Sequence, residues 1–121
     1  MKEFESAYDN NAAIRQLYDI LSNAGIVDSL KEFNEDWLNR GEGYLRYLKH
    51  HQKQASITSL AICSSKLKHY SRLMRKRNKP NITKLADAFD ANANRFDTMI
   101  MTQSKMKWVD KMEQMENRTL H

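Results

Sequence analysis

The chain has 121 residues, of which 40% are hydrophobic and 29% charged, a balance typical of a folded globular domain. Three glycines and one proline are too few for the turns of a sandwich, barrel or doubly wound sheet, and a single cysteine excludes a disulfide framework or a multi-cysteine zinc site. The first residues lack the apolar run of a signal peptide, and no stretch approaches the roughly 18 apolar residues of a membrane span. We therefore expect an all-α, cytoplasmic protein without a membrane partner.

The basic residues are concentrated in the middle of the chain. Residues 40–79 contain eleven lysines and arginines and one acid, Glu42, so this stretch carries a net charge of +10 whereas the rest carries −5. A basic middle between acidic flanks is typical of a surface that binds a polyanion such as nucleic acid. The alternative interpretation is a solvated face that serves only solubility.

Periodic apolar residues predict the first two helices. An asparagine at position 10 or 11 caps the first helix, which is expected to end near Ala24. The second helix begins with a capping box, Ser29 to Glu32, in which the serine oxygen accepts a hydrogen bond from the third helical amide. Its spacing places Trp37 on the buried face, and it is expected to end near Leu38.

Two further helices follow a short turn. Residues 39–43, which include two glycines, predict that turn, and a third helix is expected over residues 42–52 with Leu45 and Leu48 buried. Ser56 caps a fourth helix that ends in a run of cations, and Pro80 prevents its continuation.

The last helical segment is predicted over about residues 81–116. As one helix it is about 52 Å long at 1.5 Å per residue, more than a small domain covers. We therefore expect either a break near residues 90–94, which gives a helical hairpin, or a second subunit that buries part of the apolar stripe. The residues assigned to that interface are Phe96, Ile100, Trp108, Met112 and Met115.

The second and third predicted helices, joined by a tight turn, form a helix-turn-helix arrangement. The segment from Val27 to Leu67 resembles the lambda-repressor-type (Cro/C1-type) DNA-binding domain, with Ser29 as the cap of the second helix. Asn34 stands where that family has alanine, and the turn is one residue longer. Residues 32–49 are also similar to small uncharacterised proteins of bacteria and their mobile elements. The resemblance implies a four-helix DNA-binding domain over residues 1–79, followed by a helical extension, residues 80–121, that serves oligomerisation.

The outward face of the third helix carries the residues assigned to DNA bases, namely Arg46, Lys49 and Gln52. Arginine pairs bidentately with guanine and glutamine with adenine, whereas phosphate contacts position a protein without specifying sequence. The phosphate contacts are assigned to Ser29, Lys31, Arg40, Lys53, Lys68, Arg72, Arg75 and Lys76.

These assignments predict a small transcriptional regulator, dimeric through its C-terminal helix, that inserts its third helix into the major groove of double-stranded DNA. One alternative is a phage or mobile-element protein that binds and inhibits a host protein or a nucleoprotein complex. Another is sequence-independent nucleic-acid binding, with bases stacked on Tyr44 and Tyr47.

We expect no enzyme, cofactor or metal site. His50 and His51 are adjacent and diverge on a helix, which gives poor metal geometry. Cys63 is expected in the core, where a thiol is inert. The remaining acidic candidates are assigned to solvation of an exposed helix: Asp87, Asp90 and Asp97.

Overall fold

The computed structural model describes residues 9–119, and these residues form helices and turns with no strand among them. The prediction of an all-α fold is confirmed. No helix in this described range is long and apolar enough to cross a membrane. The five helices are α1 (Asn10–Asn23), α2 (Leu30–Trp37), α3 (Tyr44–His50), α4 (Ile57–Lys76) and α5 (Pro80–Thr119).

Side-chain caps fix the starts of three helices. α1 is capped by Asp9, whose carboxylate accepts a hydrogen bond from the Ala12 amide at 3.0 Å. The predicted asparagine cap is wrong, because Asn10 is the first residue of the helix and its side chain is buried. Ser29 and Ser56 cap α2 and α4 as predicted. Each side-chain oxygen accepts a hydrogen bond from the backbone amide three residues further on.

One hydrophobic cluster takes buried side chains from all five helices. Both predicted segments, residues 1–79 and 80–121, contribute to it, so the first part of α5 packs as one unit with α1 to α4. The members include Leu17 of α1, Phe33 of α2, Leu48 of α3, Leu60 of α4 and Phe96 of α5.

Trp37 joins α2 to both long helices. Its buried ring lies 5.6 Å from the Tyr70 ring and 6.1 Å from the Phe89 ring, measured between centroids. The Lys66 ammonium lies 5.9 Å from the indole centroid. The burial of Trp37 is therefore confirmed, and its ring contacts help to hold α2 on α4 and α5.

α5 is one continuous helix of 40 residues. Of the two predicted alternatives, the single long helix is confirmed and the break near residues 90–94 is wrong, because no glycine or proline follows Pro80 and a proline at the first helical position is compatible with the helix. Among residues 9–118 Gln103 is the last buried one, and its amide exchanges two hydrogen bonds with the Asn10 amide, of 2.6 and 3.1 Å. Residues 104–119, which we name the projection, extend about 24 Å beyond this point at 1.5 Å per residue.

Candidate nucleic-acid interface

A buried asparagine holds the turn between α2 and α3. Asn34 Nδ2 donates to the Glu42 carbonyl oxygen at 2.8 Å, and the Asn34 carbonyl accepts from the Arg40 amide at 2.9 Å. Asn39, inside the turn, has a φ of 55°, a left-handed conformation that asparagine tolerates better than most residues. The Asn34 side chain therefore determines where α3 begins relative to α2, a task that the alanine of the lambda-repressor-type pattern does not perform.

α3 is shorter than predicted at both ends. It begins at Tyr44 and ends at His50, and Gln52 follows it with a φ of 53°. The Lys53 amide donates to the Leu48 carbonyl at 2.8 Å and the Gln52 amide to Lys49 at 3.2 Å, the hydrogen-bond pattern of a Schellman stop. The prediction that Gln52 belongs to this helix is wrong, and its contact with a base stays a prediction.

The exposed face of α3 meets cations from two other helices. Arg46 and Lys49 of α3, Lys31 of α2 and Arg15 of α1 line one cavity of about 310 Å³, together with Leu30 and Glu42. We name these four cations the basic cluster. A second cavity of about 400 Å³ adjoins it beside the start of α1 and shares two of the four cations. The basic cluster is therefore a continuous concave surface assembled from three helices.

No ion pair neutralises the basic cluster. Within residues 9–119 no carboxylate lies at ion-pair distance from any of its four cations. Glu42 lines the same cavity and Asp9 lines the adjoining one, so four positive charges are set against two negative charges. Like charges held close together raise the local positive potential, and such a concave surface attracts an anion.

Sequence reasoning missed Arg15. It lies outside the basic middle of the chain and follows the buried Ile14 on α1. The only local signal was that the residue next to a core position on an amphipathic helix faces outward. Its proximity to Lys49 and Arg46 depends on how α1 packs against α3, which no local pattern specifies.

Three of the predicted phosphate contacts are exposed around this surface. The Ser29 oxygen caps α2 by accepting a hydrogen bond, so its hydroxyl hydrogen can still be donated to another group. Arg40 donates to Ser56 Oγ at 3.3 Å and lies 4.9 Å from the Tyr44 ring centroid. The Lys53 ammonium lies 5.7 Å from the Tyr47 ring centroid. All three side chains are exposed; Ser29 precedes α2, Arg40 lies in the turn before α3, and Lys53 follows α3.

The cations of α4 have a different environment. Lys68 forms an ion pair of 2.5 Å with Asp97, and one Arg75 nitrogen lies 2.7 Å from Asp87 and 2.6 Å from Asp90. In this structure Lys68 and Arg75 are held by α5 carboxylates, and their assignment to phosphate stays a prediction. The aspartates are likewise ion-pair partners and do not serve solvation alone.

The same contacts change the acidity of two of these aspartates. Hydrogen bonds from Ser71 and Arg75 lower the pKa of Asp90 below its ordinary value. For Asp97, partial burial raises the pKa, but hydrogen bonds from Lys68 and Ser64 outweigh it and the net direction is down. The carboxylates therefore remain ionised and matched to their cations at neutral pH.

The other two predicted phosphate contacts of α4, Arg72 and Lys76, are exposed, and no carboxylate among the described residues pairs with them. They lie near the end of α4, whereas the basic cluster is built from α1 to α3.

The two tyrosines of the stacking alternative differ. The Tyr44 hydroxyl lies 3.3 Å from Ser59 Oγ and its half-buried ring packs against the core. The Tyr47 ring is exposed and lies 4.4 Å from the His51 ring, between centroids. Only Tyr47 presents an accessible face.

The predicted interface residues of α5 divide into two groups. Phe96 is fully buried in the core, so its assignment to a subunit interface is wrong, and Ile100 packs partly buried against the same core. Trp108 and Met112 of the projection are 53% and 50% exposed, and Met115 is also exposed.

Cys63 lies in the core as predicted. Its thiol donates to the Trp37 carbonyl, with sulfur and oxygen 3.3 Å apart. Burial raises its pKa to about 12, with a smaller opposing effect from Lys66, so the thiol stays protonated and unreactive. Among residues 9–119, no group of three or more histidine, cysteine, aspartate or glutamate side chains is arranged to hold a metal ion.

Comparison with protein families gives one match. A model described as a family of unknown function, DUF6626, matches residues 14–109. The chain belongs to this family. The range matched by DUF6626 begins in α1 and ends in the projection, so it includes all four cations of the basic cluster and Trp108. Comparisons with curated proteins and with solved structures gave no match.

Proposed function

We propose that this protein binds double-stranded DNA through the basic cluster, with α3 entering the major groove. The observation that carries the proposal is the convergence of four exposed cations from three helices on one surface, with no carboxylate among the described residues pairing with them. Clustered, unpaired cations are the electrostatic footprint of a nucleic-acid contact.

The geometry of α3 supports a reading role. Arg46 and Lys49 are three residues apart and share one face of the helix, while Leu45 and Leu48 anchor the opposite face in the core. The major groove, about 12 Å wide, admits a helix, and arginine is the side chain that most often reads guanine. We therefore assign base contact to Arg46 and Lys49.

The neighbouring cations support a positioning role. Lys31 lies in the first turn of α2, where the helix dipole also favours a negative group, and Arg15 approaches from α1. Phosphate contacts on the two sides of a recognition helix fix its register on the duplex. In this arrangement α2 and α3 act as a helix-turn-helix, in agreement with the resemblance of the segment from Val27 to Leu67.

We propose sequence-specific binding, as in a transcriptional regulator. Sequence-independent binding of single strands uses aromatic platforms on which successive bases stack. Tyr44 is engaged by Ser59 and covered by Arg40, which leaves Tyr47 alone beside the basic cluster. A helix held in place with two outward cations is better suited to hydrogen bonding with base edges than to stacking with bases.

Fluorescence anisotropy with labelled duplex DNA tests this proposal. The duplexes come from the sequences flanking the protein's own gene, with a scrambled duplex as competitor. Replacing a base-reading arginine costs about 1–3 kcal/mol, so Arg46→Ala should weaken binding to the preferred duplex about 5- to 150-fold and reduce discrimination against the scrambled one. Lys84→Ala, an exposed cation of α5, is the matched control and should leave both affinities nearly unchanged.

The proposal fails if the unaltered protein does not bind duplex DNA at low salt. It also fails if Arg46→Ala and Lys84→Ala have equal effects. A uniform loss on both duplexes for Arg46→Ala, without loss of discrimination, would assign Arg46 to phosphate and remove the reading role.

A further inference from the structure

Glu42 is the only acid in the basic middle of the chain. Residues 40–79 hold it together with eleven lysines and arginines. In the fold it lies just before α3 and lines the cavity of about 310 Å³ that also contacts the four cations of the basic cluster. Like charges repel, so a carboxylate at this place lowers the affinity for phosphate. A surface that served only to attract polyanions would bind more tightly without it.

The fold does not use the Glu42 carboxylate. Its side chain is exposed, and among residues 9–119 no ion pair or hydrogen bond involves its carboxylate oxygens. Asp9, the acid of the adjoining cavity, differs in this respect because its carboxylate caps α1 by accepting a hydrogen bond from the Ala12 amide. Glu42 therefore keeps its acceptor oxygens available to a ligand of the basic cluster.

The backbone of Glu42 is nevertheless held in place. Its carbonyl oxygen accepts the hydrogen bond of 2.8 Å from the side chain of Asn34, which is fully buried. Only Gly43 separates Glu42 from Tyr44, the first residue of α3. In helix-turn-helix proteins the residues at the beginning of the recognition helix are those that contact base edges. Glu42 thus presents a free acceptor from a fixed backbone at the place where bases are read.

Glu42 and Arg46 line the same cavity with complementary hydrogen-bonding groups. An arginine side chain has only donors, and an ionised glutamate has only acceptors. The major-groove edge of a guanine–cytosine pair presents two acceptors, guanine N7 and O6, followed by one donor, the cytosine amino group. An adenine–thymine pair presents an acceptor, a donor and an acceptor. Two donors of Arg46 beside an acceptor of Glu42 therefore match the guanine–cytosine edge and not the adenine–thymine edge.

We propose that Glu42 is a specificity-determining residue whose carboxylate accepts a hydrogen bond from the amino group of a cytosine in the major groove. Arg46 contacts the guanine paired with that cytosine, so the two side chains together select one guanine–cytosine pair. This role rests on the DNA binding proposed above and names the base pair that the basic cluster selects.

The charge of Glu42 also accounts for the rejection of other sequences. Opposite a thymine O4 or a guanine O6, the carboxylate faces another acceptor and stays unpaired beside the phosphates. Specific proteins place unpaired charge against the wrong partner as well as contacts against the right one. Glu42 should therefore weaken binding to most sequences and preserve it for a duplex that has cytosine at the selected position.

Fluorescence anisotropy with chemically altered duplexes tests this role. The probes are the preferred duplex from the sequences flanking the protein's own gene, a scrambled duplex, and the preferred duplex with N4-methylcytosine in place of each cytosine in turn. N4-methylcytosine still pairs with guanine through its remaining N–H, and its methyl group replaces the N–H that faces the major groove. The guanine that Arg46 contacts is therefore unchanged in these probes.

For the unaltered chain, methylation of one cytosine should weaken binding about fivefold or more, as a mismatched base pair does. Glu42→Ala should remove the sensitivity to that methyl group and should bind the scrambled duplex more tightly, because a charge that repels phosphate is lost. Glu113→Ala is the matched control, since it removes the same charge from an exposed position of the projection and should leave both properties nearly unchanged.

Three outcomes would overturn the role of Glu42. Binding of the unaltered chain that is insensitive to methylation at every cytosine would refute the cytosine contact and leave the proposed DNA binding intact. Equal tightening of Glu42→Ala on every duplex, with the methyl sensitivity retained, would make Glu42 a counter-charge of the basic cluster. Absence of duplex binding by the unaltered chain at low salt would refute both proposals together.

Discussion

Two regions rich in cations lie on this molecule, and they differ in what their charges do. In the basic cluster of α1 to α3, no described carboxylate pairs with Arg15, Lys31, Arg46 or Lys49. On α4, Lys68 and Arg75 are matched by aspartates of α5. The longer basic run in the sequence therefore contains paired cations, whereas the basic cluster contains none. Charge density along a sequence predicts a binding surface only when the packing of other helices leaves that charge unpaired.

The largest expected effect is the loss of stability when Trp37 is truncated, because its ring packs α2 against α4 and α5. Trp37→Ala should lower the free energy of unfolding by about 3–5 kcal/mol, the usual cost of removing a buried aromatic side chain. Chemical denaturation followed by circular dichroism measures it. Trp108→Ala is the matched control, because that indole is half exposed and its loss should change the stability of the monomer little. Equal effects of the two substitutions would contradict the assigned core.

A smaller loss of stability should be confined to the region of the basic cluster and should leave α4 and α5 unchanged. Asn34→Ala removes the hydrogen bond to the Glu42 carbonyl and should cost about 0.5–1.5 kcal/mol, the usual net contribution of one intramolecular hydrogen bond. Hydrogen exchange should show faster exchange in residues 38–50 and unchanged exchange in α4 and α5. DNA binding should weaken as well, since Asn34 positions α3. Uniformly faster exchange along the whole chain would show that Asn34 supports the core and not the turn in particular.

The smallest effect concerns the paired cations of α4 and appears in acid. The pKa of Asp97 is lowered in the folded chain, so its contribution is present above the ordinary aspartate pKa and is lost as pH falls through the lower folded value. Because the Lys68–Asp97 pair is partly exposed, about 0.2–1 kcal/mol is expected. Asp97→Asn should therefore reduce stability at pH 7 and flatten its dependence on pH below about 4. A dependence on pH unchanged by Asp97→Asn would contradict this assignment.

The parts of the fold that follow from local chemistry were predictable. Ser29 and Ser56 cap their helices because a hydroxyl three residues before a free amide satisfies it wherever the helix packs. Trp37 and Cys63 are buried because their helical positions coincide with the apolar face. These outcomes depend on residues within one turn of each other.

The predictions that failed depend on contacts between residues distant in the sequence, or on a residue that adopts a backbone conformation unusual for its type. Gln52 adopts a left-handed conformation in which glycine is usual, so the sequence held no signal for the stop of α3. Arg75 and Asp90 are fifteen residues apart, and their pairing requires knowledge of how α4 and α5 align. Arg15 joined the candidate site for the same reason, through the packing of α1 against α3.

The contrast between the two cationic regions can be measured directly as the salt dependence of DNA affinity. Each phosphate contact contributes about 0.9 to the slope of log K against log salt concentration. The account predicts that Lys31→Ala, in the basic cluster, lowers the magnitude of this slope by about one, and that Arg75→Ala leaves it unchanged within error, because Arg75 is held by Asp87 and Asp90. A slope reduced by Arg75→Ala and unchanged by Lys31→Ala would place the DNA on α4 and contradict the proposed interface.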